Sequence, residues 1–110
     1  MAKATFWQKG EKIDYVNSGA SAVENGQIVV LGTKVGVAGG AIAVGATGTL
    51  VMEGVFKMPK ASGAAIAAGA KVYWDATNSV VTDTVGTNVE VGYAAAAAAS
   101  ADTEVLVSLG

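Results

Sequence analysis

Cysteine, histidine and arginine are absent from this 110-residue sequence, and proline occurs once. Without cysteine there is no disulfide framework and no thiol nucleophile, and most zinc sites are excluded because their usual ligands are Cys and His. A Ser–His pair cannot form, which removes that route to nucleophilic catalysis. All seven basic residues are lysines, and nine acids bring the net charge to −2. Nucleic-acid binders carry a basic patch, often with arginine reading phosphates or guanine, so no nucleic-acid partner is expected. Nothing after residues 1–4 resembles an apolar leader segment, so no secretory signal is expected.

Charge is sparse overall. Charged residues make up 15% of the chain and hydrophobic residues 52%. That composition supports a folded core and suits one domain, which we place at residues 12–110 behind an N-terminal arm of residues 1–11. A domain this small buries only about two-thirds of the surface of its unfolded chain. So much apolar material therefore points to cover from neighbouring subunits, and a homo-oligomer is expected. Residues 35–52 run uncharged for 18 positions, the lower limit for a membrane span. Gly36, Gly39, Gly40, Gly45 and Gly48 interrupt them, with no aromatic belt at either end, so they read as strand, turn and strand and no membrane partner is expected.

What is present is a succession of strand patterns. Residues 12–16 alternate, with Ile13 and Tyr15 on one face. Residues 27–31 are continuously apolar, as in a strand buried on both faces, and residues 34–38 follow after a tight connection. Residues 47–58 read as one long strand with Leu50, Met52, Phe56 and Met58 on one face, a bulge or bend at Gly54, and Pro59 ending the ladder. Residues 71–75 and 79–82 form a hairpin with Asn78 at the left-handed position. From residue 88, Val89, Val91 and Tyr93 share a face, and Val105, Val107 and Leu109 share one in the last strand. The alanine run 94–99 favours helix in isolation, but its tight strand neighbours favour strand running into turn. A single helical turn is expected within residues 61–68.

An apolar residue stands three or four positions before a strand-opening glycine in Ala22-Val23-Glu24-Asn25-Gly26, Ile42-Ala43-Val44-Gly45 and Ile66-Ala67-Ala68-Gly69. Spacings of 19 and 24 residues between these copies read as a reused device and not as a repeat array. The expected fold is an all-β antiparallel barrel or sandwich of about 7–9 short strands.

Candidate chemistry is thin. Gly40 and Gly45 have phosphate-loop spacing, but Ala46 and Thr47 stand where Lys and Ser/Thr are required. Asp102 and Glu104 lie on one side of a turn, too few ligands for an all-oxygen metal site. Tyr73 and Trp74 are adjacent and so point to opposite faces of a strand, which rules out a joint stacking platform. No catalytic residue, cofactor or metal site is expected. Phe6 and Trp7, between Lys3 and Lys9, are large aromatics in a terminal arm, and the four are the candidate partner-contact residues.

The stretch Gly54-Val55-Phe56-Lys57-Met58-Pro59-Lys60, followed by a small alanine/glycine-rich segment and then Gly69-Ala70-Lys71-Val72-Tyr73-Trp74-Asp75, resembles the small phage capsid cement or head-decoration proteins. Ile13-Asp14-Tyr15 with Asn17, Gly26 before Val29-Val30-Leu31-Gly32, Val35-Gly36-Val37-Ala38, and Gly92-Tyr93-Ala94 before Asp102-Thr103 extend the likeness nearly end to end. The resemblance implies a non-enzymatic, β-rich homotrimer made in the host cytoplasm. It would be seated on the outer surface of the assembled head, bound to the major capsid protein, and would stabilise the shell against internal DNA pressure. A tail-tube or fibre subunit is the alternative.

Overall fold

Four strand-opening turns of one design organise the chain. The structure, a computed structural model, describes residues 2–6 and 10–109. In the turns, the N–H of Gln27, Ala46, Ala70 and Asp102 donates to the carbonyl three residues earlier, at 3.0–3.1 Å. Gly26, Gly45 and Gly69 occupy the third turn position with φ near +80°, the left-handed value that a type II turn requires there. The residue before each turn, Val23, Ile42, Ile66 or Ala98, is buried. These four bridge in pairs, Val23 with Ile42 and Ile66 with Ala98, by reciprocal N–H to C=O bonds of 2.8–2.9 Å.

Each bridged pair closes one half of the molecule. The first half holds β1 (Lys12–Val16), β2 (Ile28–Leu31), β3 (Lys34–Ala38) and β4 (Thr47–Val51) in the antiparallel order β1-β4-β3-β2. The second holds β5 (Gly54–Pro59), β6 (Lys71–Asp75), β7 (Val80–Thr82), β8 (Val89–Ala94) and β9 (Glu104–Leu109) in the order β5-β9-β8-β6-β7. With β7 set aside the two plans coincide, and so do the registers. Ala38 faces Leu50 as Ala94 faces Val107, and Val29 faces Gly36 as Val72 faces Gly92. Asn17 and Lys60, Val23 and Ile66, and Gly26 and Gly69 are corresponding pairs, each 43 residues apart. The reused device is thus the trace of a duplicated unit, and alternate copies of it are the ones that correspond.

Several expectations need correction. Residues 47–58 are two strands in different sheets. The inward alternation continues through Met52, but Gly54, at φ +122°, turns the chain out of the first half. Leu50 and Met52 therefore serve one core cluster and Phe56 and Met58 the other. The strand buried on both faces is β3, not β2. Val35 and Val37 pack into the second half's core and Ala38 into the first's, whereas edge strand β2 leaves Val30 and Leu31 exposed. Residues 61–68 contain a turn and the Ile66 bridge but no helical turn. The left-handed residue of the β6–β7 turn is Ser79, at φ +56°, because Asp75 already ties down Thr77 and Asn78. Val91 is an extra residue against β6, a bulge that sends Tyr93 to the opposite face from Val91. The alanine run leaves β8 at Ala94, bends and bridges at Ala98, as strand running into turn.

The second sheet curls until β7 meets the end of β5, where Lys60 and Val81 form a parallel bridge and the Ala61 N–H donates to the Val81 carbonyl at 2.9 Å. The all-β expectation holds, with nine strands and no helix among the described residues, and neither sheet closes.

Candidate assembly surfaces

Alternation puts Val105, Val107 and Leu109 inside and Glu104, Leu106 and Ser108 outside on β9. Its neighbours add to that outer face. Val55 of β5 and Tyr93 of β8 both lie opposite Ser108, and Leu106 lies opposite Lys57. Val55, Tyr93 and Leu106 are each more than two-fifths exposed. In this register Leu106 is the diagonal neighbour of Val55 and Tyr93, within reach of large side chains. The three form an apolar patch on a sheet face that has no cover among the described residues, the kind of surface that marks an interaction site. Sequence reasoning missed it because Val55 and Leu106 sit on otherwise polar strand faces, and because Tyr93 is outward only through the bulge.

Of the four arm candidates, Lys3 and Phe6 are exposed, and Phe6, at 81%, does not fold back onto its own domain. Trp7 and Lys9 lie outside the described residues. Phe6 therefore presents a whole aromatic side chain to any partner.

The first half's core cluster has a rim that is only half covered. Val23, Val29, Ala38, Ile42 and Leu50 are buried, while Ile13, Tyr15 and Met52 pack beside them and remain partly open. Leu31, on the same face of β2 as Val29, is exposed. Beside this rim a cleft of about 450 Å³ is lined by Ile13, Val35, Met52 and Val91, with Lys34, Glu53 and Glu90 at its mouth. Its walls carry no nucleophile–base pair, and among the described residues no three His, Cys, Asp or Glu side chains cluster as metal ligands.

The remaining polar candidates have local structural partners. The Ala99 N–H donates to Asp102 Oδ2 at 2.8 Å, which fixes the last strand-opening turn. Trp74 packs against the core, and Tyr73 is on the other face. The Asp75 carboxylate accepts the Thr77 and Asn78 N–H groups at 3.0 and 3.2 Å and Asn78 Nδ2 at 2.8 Å. The Asn78 side chain, then its backbone N–H, hold this carboxyl below the usual aspartate range. A depressed folded value means the contribution to stability is complete above the unfolded pKa and disappears as pH falls through the folded one. Asn78→Ala is expected to raise the Asp75 midpoint in an NMR titration, and an unchanged midpoint would refute this turn geometry.

No curated protein and no solved structure matches the chain significantly. The profile of the family described as phage cement protein matches residues 7–109, nearly the whole chain. All-β architecture and an uncovered apolar sheet face agree with such a role, and the chain belongs to the phage cement protein family.

Proposed function

We propose that this capsid decoration protein acts as a homotrimer on the outer surface of the phage head, where it binds the major capsid protein and performs no turnover. The observation that carries the reading is the family match over residues 7–109. The physical mechanism is linkage. A clamp that contacts several capsid subunits binds the assembled lattice and not its separated parts, so it stabilises the lattice by mass action. Three linked copies turn modest individual contacts into avidity. The edge strands β1 and β2 offer unpaired backbone for strand addition. An acidic chain without arginine suits a position outside the shell, away from the packaged genome. The lack of His and Cys removes the common catalytic pairs.

Electron cryomicroscopy of particles with and without the protein tests the placement. Added density at three-fold positions on the head exterior is the expected result, and density confined to the tail would overturn it. The arm is tested by Phe6→Ala. Because Phe6 is 81% exposed, the variant is expected to keep its melting temperature. Its affinity for heads is expected to fall about tenfold, the loss of one aromatic anchor worth roughly 1.4 kcal/mol. Unchanged affinity would remove Phe6 from the contact.

A further inference from the structure

The duplicated halves meet through unlike faces. Val35 and Val37 lie on the first half's face away from its own core, with Ile28 alongside, and pack into the second half's core cluster. The core residues they join, among them Val72, Val91, Val107 and Leu109, belong to the second half's inward face. The contact therefore joins the outer face of one unit to the inner side of the next, as in a head-to-tail array.

Each half retains the complementary face unused. Tyr93 occupies in the second half the register position of Val37 in the first. Val37 pairs with Ile28 and Val51, and Tyr93 pairs with Lys71 and Ser108. The Val55–Tyr93–Leu106 patch lies on the second half's copy of that outer face and is exposed; of the docking residues Val37 corresponds to Tyr93 and Ile28 to Lys71, while the counterpart of Val35 is Val91, which the bulge turns inward. The first half's inner side, with Ile13, Leu31 and Met52 at its rim, is the copy of the docked-upon side, and it is only partly covered.

We propose that copies of this chain assemble head to tail, the outer face of the second sheet in one copy packing on the inner rim of the first half in the next. This repeats between chains the packing already made within one. Such heterologous contacts close into a ring when the rotation per copy divides a full turn, and three two-part chains would give six quasi-equivalent units. The inference rests on the homo-oligomer reading and specifies its interface.

Light scattering on the wild-type chain comes first. A monomer at working concentration would overturn the homo-oligomer reading and this interface together. With an oligomer in hand, Tyr93→Glu and, separately, Val55→Glu are expected to reduce the particle mass to the 10.8 kDa of one chain with the melting temperature of the isolated chain unchanged. An oligomer that survives both substitutions overturns the interface alone. Because the chain lacks cysteine, engineered pairs are unambiguous. A short bismaleimide is expected to link Tyr93→Cys/Leu31→Cys chains into covalent rings and to leave Tyr93→Cys alone unlinked. Efficient linkage of Tyr93→Cys to itself would indicate a two-fold contact and overturn the head-to-tail arrangement.

Discussion

Lys60→Met is expected to destabilise the chain by about 3 kcal/mol. Lys60 directly follows Pro59 at the end of β5 and is 4% exposed. Its ammonium donates to the carbonyls of Ala61 at 2.8 Å, Ala64, and Ser100 at 3.5 Å. Those carbonyls belong to the two connections that carry the Ile66–Ala98 bridge, so one side chain ties both to β5. Methionine keeps the apolar stem and its packing but strips every donor, so the Ala61 and Ala64 carbonyls lose the ammonium, while the Ser100 carbonyl keeps the Gly63 N–H at 3.1 Å. Leaving a buried polar group unsatisfied costs about 1–3 kcal/mol each, reduced here because a carbonyl tolerates partial satisfaction better than an N–H. With a urea dependence of roughly 1.5 kcal/mol per molar for a chain of this size, the midpoint should drop by about 2 M. A drop below about 0.5 M would mean that the ammonium is not what holds these loops. Asn17, its counterpart in the first half, performs the same task with an amide, donating to Ser21 at 2.9 Å and Ile42 at 3.1 Å.

Gly48→Ala should cost about 2–3 kcal/mol although it adds a single carbon. A Cβ at Gly48 would stand 2.4 Å from Ile42 Cγ1 and 2.5 Å from its Cδ1. Ile42 is 2% exposed and bridges to Val23, so it has no free space to retreat into. Its side chain lies directly on the β4 backbone, which is how the bridge layer comes close enough to seal the first core. Ile42→Ala alone should cost about 3 kcal/mol through the cavity it leaves. Combined, the two substitutions should cost at least 1 kcal/mol less than their sum, since the new methyl then occupies vacated volume. Denaturation of the four proteins in the cycle measures that coupling, and strict additivity would show that Ile42 and Gly48 are not in contact.

Period-two alternation made β1 and β9 legible, because each has one face in a core and one in solvent. It failed where the alternation was continuous but the chain was not. Across Met52, Glu53 and Gly54 the inward face never changes parity, so nothing in the pattern announces that β4 and β5 belong to different sheets. The bulge at Val91 is equally silent, and it hid Tyr93. The duplication was masked by the β6–β7 insertion and by Ala98 and Ala101, which replace the apolar residue and the glycine that mark the other three turns. Of the candidate contacts, Phe6 was visible as an aromatic residue in an arm. The Val55–Tyr93–Leu106 patch was not, since it exists only once three strands are set in register. Function was carried by the family likeness of the Pro59-Lys60 and Tyr73-Trp74-Asp75 segments, not by any constellation of reactive groups.

Every ladder of the described residues stays within its own half, and the longest-range pairing of the first, Lys12 with Val51, is complete before Gly54. During synthesis the amino-terminal sheet can therefore zip up on the ribosome without waiting for anything downstream. The second sheet must wait for β9, the last of the nine described strands, because β9 sits between β5 and β8 and joins them. Until β9 emerges, the nascent chain is a finished platform trailing an open, apolar fringe, and Val35 and Val37 already stand on that platform as the surface against which the fringe condenses.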